Sequence, residues 1–422
     1  MVSRLRFLRN RIKERLWVKP LAMCLLSIAA VFIARTADYT DLGKFAPDIT
    51  SQSVNTLLSV IASSMLIIAT FSVASMVSAY ASASSKATPR FFCLVIADDA
   101  SQNALSAFIG AFIFSIVALI AVENSYYDKG GRFTLFVLTL TIFAMVIATF
   151  VRWVDRVARL GRLETSIEKV EAATAVALRQ RRCAPNLGGV SVASRHDDVR
   201  SIYGTSIGYV QRVDVPALQK FAEQSRAHVE VAALPGTFIS PARALAYVTT
   251  DPGSSTDIDT SQIRQAFLTG NKRTFDEDPR FGLIALSEIA SRALSQGIND
   301  PGTAIDVIGT LVRVFTRWSE PVEEHDLQPA ECDRVAVPEI SLQDMFEDAF
   351  RPIARDGADI IEVVVRLQKA FQSLATIEDA TMRDVAMQHA RWTLERAENT
   401  LEFPNDLEVA RKCTEFAMLN AR

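Results

Sequence analysis

Few residues in this chain stand at spacings that could support chemistry. The clearest polar constellation is Asn299-Asp300-Pro301-Gly302-Thr303. Aspartate followed by proline starts a helix: Asp300 accepts from the free backbone N–H groups, and Pro301 sits where its missing N–H is no loss. The alternative is a ligand or ion held by Asn299, Asp300 and Thr303 at those N–H groups, although Asp300 would itself repel an anion there. Of four histidines, His325 lies in Glu323-Glu324-His325-Asp326 and His196 precedes Asp197-Asp198. Both read as solvated charged loops, with metal ligation as the alternative. No GxSxG, P-loop or GxGxxG behind a strand is present. The chain is therefore expected not to be an enzyme, with no catalytic residue, cofactor or metal. The five cysteines (Cys24, Cys93, Cys183, Cys332, Cys413) form no CxxC pair and read as reduced thiols.

A second constellation is a stripe of hydroxyls. From Ile49 to Ser85 the chain runs 37 residues without a charge. Ser75, Ser78, Ser82 and Ser85 follow the +3, +4, +3 rule of one helix face, Ser64 and Ser72 lie near it, and Lys86 and Arg90 follow at its end. Small residues let helices pack closely, so packing alone accounts for such a stripe. The alternative is a solute path, with hydroxyls replacing part of a solute's hydration and Lys86 setting a preference for a small anion. The two readings are compatible if several copies gather the same helix around one axis.

These residues need elements to place them. Four hydrophobic spans are expected at 17–34, 54–83, 104–122 and 133–151, behind a basic N-terminus at 1–16. The first could pass for a signal peptide, but Ala34-Arg35-Thr36-Ala37-Asp38 is a poor cleavage site, so it reads as a retained helix. The uncharged run would reach roughly 55 Å as a helix, so the second span should continue beyond the bilayer. No span carries a charge at its centre, which disfavours a proton relay or voltage sensor. Arginines and lysines crowd 4–19, and Arg152, Arg156, Arg159 and Arg162 follow span four, whereas Asp38, Asp41, Asp48, Glu123 and Asp128 mark the opposite loops. The positive-inside rule then places both termini in the cytoplasm. Charge is partitioned too: 17 Lys and Arg against 9 Asp and Glu before Leu163, and 28 against 39 from there on. An acidic C-terminal part argues against a nucleic-acid partner.

Beyond the spans, apolar spacing predicts a linker helix over 152–182, a small β-rich module over 183–260 and a helical cytoplasmic domain over 261–422. Strands are expected near 187–192, 202–213, 228–233 and 238–248. Helices are expected from Asp276-Glu277-Asp278-Pro279 onward and from Asp300 onward. A polar, proline-punctuated linker follows over 319–338, and helices then run to the C-terminus. The fold class is thus a membrane all-α four-helix span region followed by a cytoplasmic, helix-rich α+β domain. Residues 229–248, with the turn Leu234-Pro235-Gly236-Thr237, loosely resemble small barrel-like modules of biotinyl or secretion-adaptor type, without a modifiable lysine at the turn.

Residues 293–308, ALSQGINDPGTAIDVI, resemble the bacterial family of predicted membrane proteins that carries an LSxxINDPxTA motif (domain of unknown function 2254). Leu294, Ser295, Ile298, Asn299, Asp300, Pro301, Thr303 and Ala304 match it, and SSKATPR (84–90) and DPRFGLIAL (278–286) fit the same family. The resemblance implies a multi-pass protein of the bacterial inner membrane and brings no activity with it. The leading expectation is a homo-oligomeric channel or transport-related protein embedded in the lipid bilayer, with span two lining an anion-preferring path. The other is a non-conducting, membrane-anchored sensor or scaffold with a ligand- or partner-binding domain.

Overall fold

The computed structural model describes residues 17–39, 47, 49–86, 99–159, 163–192, 199–251 and 259–418. The chain forms two compact units, Met1–Ser166 and Ile167–Arg422. The first holds helices α1 (Val18–Thr36), α2 (Ser51–Lys86), α3 (Asp99–Glu123) and α4 (Lys129–Arg159). Four stretches among the described residues are long and apolar enough to cross a membrane: Val18–Tyr39, Ser51–Ser78, Gln102–Glu123 and Lys129–Arg156. Helix α2 runs for 36 residues, roughly 54 Å at 1.5 Å per residue, against a hydrocarbon core of about 30 Å.

Helix α3 packs against both α1 and α2 and forms the middle of the bundle. Val31, Val54, Leu58, Phe114 and Leu135 make one apolar layer. Ile61, Met65, Phe108, Val146 and Trp153 make the next. The end of α1 is tied to the start of α4. Asp38, in a short 3-10 turn after α1, accepts from the backbone N–H groups of Gly131 and Asp128 and so caps α4 from another helix. Any side chain on Gly131 would collide with the Asp38 carboxylate. The Tyr127 hydroxyl donates to the Val31 carbonyl at 2.7 Å, and Arg132 donates to Ser51 Oγ at 3.1 Å.

The second unit begins within α5 (Leu163–Cys183), which docks on its own domain. Glu171 accepts a bidentate pair from Arg313 at 2.6 and 3.0 Å. Gly282 lies so close to Thr174 that a Cβ there would collide with it. Strands β1 (Gly189–Val190), β2 (Arg200–Tyr203), β3 (Gly208–Val213), β4 (Ala227–Val231), β5 (Phe238–Ile239), β6 (Ala244–Thr250), β7 (Phe267–Gly270) and β8 (Cys332–Ala336) follow, with α6 (Val215–Ser225) and α7 (Thr260–Gln265) among them. They form a five-stranded sheet in the order β1-β8-β4-β6-β2 and a three-stranded sheet in the order β5-β3-β7.

Two expectations are corrected here. The stretch 319–338, read as linker, contributes β8, which enters the larger sheet parallel to β4 and β1. Its polar composition hid it, yet Val335 is fully buried, and the Gln219 amide clasps the strand by accepting from Arg334 N at 3.0 Å and donating to Asp333 at 2.7 Å. The barrel-like segment 229–248 is divided between two sheets, because β4 and β6 pair with each other while β5 pairs with β3.

The remaining layer is helical: α8 (Pro279–Ala293), α9 (Pro301–Ser319), α10 (Leu342–Asp356), α11 (Ile361–Ala375), α12 (Ala380–Glu398) and α13 (Pro404–Met418). Helices α6, α7, α8, α9, α10 and α12 each begin at an Asp or Ser whose side chain accepts from the first turn, satisfying otherwise free N–H groups. Phe315, Phe346, Phe350 and Phe371 stack through its core.

Candidate functional site

The hydroxyl stripe belongs to α2, and the packing of α2 decides which of its faces are spent. Val54, Leu58, Ile61, Met65, Ala69 and Met76 bury one apolar face in the bundle. Ser72 lies on that face, 0% exposed, its Oγ buried without a partner among the described residues. It therefore does not share the open face with the other serines. Ser64 and Ser75 are half-buried at the flank, and Ser78 is exposed. Ser82, Ser85 and Lys86 continue the helix with side chains outside the described set, and Arg90 lies outside the described residues. On the same flank, earlier in α2, stand Val60, Ile67 and Phe71, all exposed. Ser64 stands among these apolar groups, and Ser75 and Ser78 follow them along the flank. Phe71 marks the junction, 63% exposed and edge-on to Trp153 of α4 with centroids 6.2 Å apart.

In the second unit the INDP motif is the joint between α8 and α9. Leu294 closes α8, and Ser295 Oγ returns to the Arg292 carbonyl at 2.6 Å. Asn299 takes the left-handed conformation, φ 51°, which asparagine tolerates better than most residues. Asp300 N donates to the Ala293 carbonyl at 2.8 Å. Its carboxylate accepts from Thr303 N at 3.1 Å and Thr303 Oγ1 at 2.6 Å. These bonds from Thr303 hold the Asp300 carboxyl below its ordinary range. Asn299, Asp300 and Thr303 are thus brought together, with the geometry of a turn and a cap.

The same Asp-Pro start occurs at α8, with a different environment. Asp278 is 2% exposed, caps Phe281 N at 3.2 Å and takes a bidentate pair from Arg273 at 2.6 and 2.8 Å. Burial pushes its carboxyl up against the opposing pull of Arg273. Gly236, at φ 93° in the Pro235–Thr237 turn, leaves room for that carboxylate, because a Cβ there would strike it. Next to it, burial pushes Glu277 up to about 7 despite Arg212 and Arg181, and burial lowers Arg181 to about 10. Arg280, one residue into α8, bonds Asp344 and Asp348 of α10. A cleft of about 460 Å³ opens here, bordered by Arg243, Arg273, Asp278, Arg280 and Asp344. In the sequence Asp300 stands out as a cap and Asp276-Glu277-Asp278-Pro279 only as a helix start, because an Asp-Pro pair says nothing about which carboxylate is buried. His196 lies outside the described residues, and His325 is exposed beside Glu323 and Asp326.

Four apolar helices in one unit, followed by an α+β unit rich in helix, define a multi-span membrane protein. The chain belongs to the family described as predicted membrane protein, DUF2254, whose family model matches residues 13–373. An uncharacterised protein of Mycobacterium tuberculosis is similar to it, 28% identical over 242 residues that cover 55% of this chain and 46% of that relative. An uncharacterised protein of Mycobacterium bovis is 27% identical over 242 residues, with the same shares. The matched stretch thus spans about half the length of these relatives. No solved structure matches the chain significantly.

Proposed function

We propose that the protein is a homo-oligomeric channel or transport-related protein of a bacterial inner membrane. Copies meet through the flank of α2 that carries Ser64, Ser75, Ser78, Ser82 and Ser85, and a small anion follows the path between them. Lys86 and Arg90 form its mouth on the cytoplasmic side, where both termini and the second unit also lie. The observation that carries this reading is the division of α2: its apolar face is consumed by its own bundle, while Ser75 and Ser78 stay on the uncovered side. Small and hydroxylated residues on an uncovered helix face favour close helix contact and can replace solute hydration. Val60, Ile67 and Phe71 then form an apolar constriction before the hydroxylated part, a place where a path gates by dewetting. No catalytic step belongs to this reading, and the second unit serves assembly and gating. Purified protein in liposomes is expected to pass chloride better than potassium, Phe71→Ala to raise the flux and Lys86→Glu to weaken or reverse the preference. Absence of flux from both wild type and Phe71→Ala overturns the reading.

One observation favours the second reading, a non-conducting membrane-anchored sensor or scaffold. The apolar start of the same flank suits lipid or protein contact without any water. In that case Ser78→Leu impairs assembly, and no ion crosses at any α2 sequence.

A further inference from the structure

Helices α10 and α12 enclose a groove of about 400 Å³ in the second unit, away from the cleft at Asp278. Along α12 it is lined by His389, Trp392, Thr393 and Arg396, which recur at helix spacing, and along α10 by Glu347 and Arg351. His389 forms the floor. Its residue is 4% exposed, wedged among Phe346, Phe371 and Trp392 with centroids 5.4, 6.1 and 5.1 Å away. Its Nε2 is buried without a hydrogen-bond partner among the described residues. A phenylalanine would fill the same aromatic niche with no polar atom to strand. Buried polar atoms are nearly always paired, so an orphan nitrogen on a side chain that lines a groove calls for an explanation.

The walls supply the rest of a recognition site. Trp392, 41% exposed, offers an aromatic surface beside the imidazole. Arg351 is held by Glu347 at 3.3 Å, whereas the Arg396 guanidinium makes no ion pair among the described residues. Glu395 stands at the rim and opposes a highly charged ligand. Burial lowers His389 to about 4, so at neutral pH it is an uncharged imidazole with one donor and one acceptor nitrogen. The groove's size falls within the range of small-molecule sites.

We infer that this groove binds a small planar aromatic or heteroaromatic molecule bearing one anionic group, its ring on Trp392, a ring heteroatom or substituent bonded to His389 Nε2, and its anion on Arg396. A nucleoside monophosphate and an aromatic carboxylate share this chemistry. The inference is independent of whether the membrane unit conducts.

The test uses the full chain in detergent, titrated with AMP, GMP, salicylate and indole-3-acetate, and with adenosine, inorganic phosphate and ATP as comparators. At least one of the four singly substituted anions is expected to bind saturably below about 1 mM and to change tryptophan fluorescence, the change vanishing in Trp392→Phe. The nucleotide and carboxylate arms distinguish the two sources. Adenosine and phosphate alone should bind at least tenfold more weakly, and ATP more weakly than AMP. His389→Phe is expected to lose at least tenfold in affinity while melting no lower than wild type, which separates a binding role from a packing role. Should His389→Phe fail to fold, Arg396→Gln decides, because that guanidinium makes no ion pair among the described residues; at least a fivefold loss is expected. Binding by none of the four anions, or equal binding by wild type and a folded variant, overturns the inference.

Discussion

The two units of this chain differ in how far charge pairs hold them together. In the membrane unit, Ser72 and Ser115 hydroxyls and the Trp153 indole N–H are buried without partners among the described residues, and the bundle is held by apolar layers and by ties such as Asp38 to Gly131. In the second unit charges pair, Arg273 on Asp278, Arg280 on Asp344 and Asp348, Arg313 on Glu171, while Ser287 Oγ, Gln368 Oε1 and His389 Nε2 are buried there without partners among the described residues. A charged residue in the second unit therefore reads first as a structural partner. On the uncovered flank of α2, Ser75 and Ser78 make no side-chain bond to another helix among the described residues. This difference locates the functional question: it lies where a polar group is not used up by the fold.

The comparison breaks most visibly at Asp278. If matched charge holds the second unit together, Asp278→Ala strands the nearly buried Arg273 guanidinium and removes a cap, and should cost about 3–5 kcal/mol by chemical denaturation. A loss below 1 kcal/mol would show that the pair is dispensable. Gly282→Ala comes next. The new methyl must push α5 from α8 at Thr174, an overpacking cost of about 1–3 kcal/mol. Asp300→Ala should cost less, about 0.5–2 kcal/mol, with Asp300→Asn or Ser nearly neutral. A folded Asp300→Asn protein without function would show that Asp300 does more than cap.

His389 adds a pH dependence. Its pKa is lowered to about 4 from an ordinary value of about 6.5, because burial among Phe346, Phe371 and Trp392 outweighs the pull of Glu347, while Arg351 adds to the lowering. Between those values the unfolded chain binds a proton that the folded chain refuses, so folding stability falls as pH falls through this window. Relative to His389→Phe, wild type should lose up to about 1.4 kcal/mol per pH unit there. Parallel pH profiles for the two proteins would remove His389 from the account.

The spans were legible because a membrane segment advertises itself in composition alone, and α2 is indeed one helix through to Lys86. The cap at Asp300 was legible because Asp-Pro acts on its own first turn, and at Asp278 the start of α8 was legible but not the cap. Strand β8 was not: Cys332-Asp333-Arg334-Val335-Ala336 has no apolar alternation, and its place comes from Gln219, Asp251 and the flanking strands. Ser72 illustrates the same limit, since helix spacing put it near the open stripe while the fit of α2 on α3 turned it inward. His389 carried no local signal, as its niche is built from α10 and α11.

The central claim is that the open flank of α2 faces water between copies, and thiol accessibility in the membrane tests it directly. In a cysteine-free background, single cysteines at Ser75, Ser78 and Ser82 are compared with cysteines at Val73 and Val77, exposed residues on another side of α2. If the flank lines a path, the three serine positions react with a membrane-impermeant, water-soluble thiol reagent applied from the cytoplasmic side, and the valine positions, turned to lipid, do not. Equal protection of all five positions would contradict the claim and leave the stripe as a packing surface.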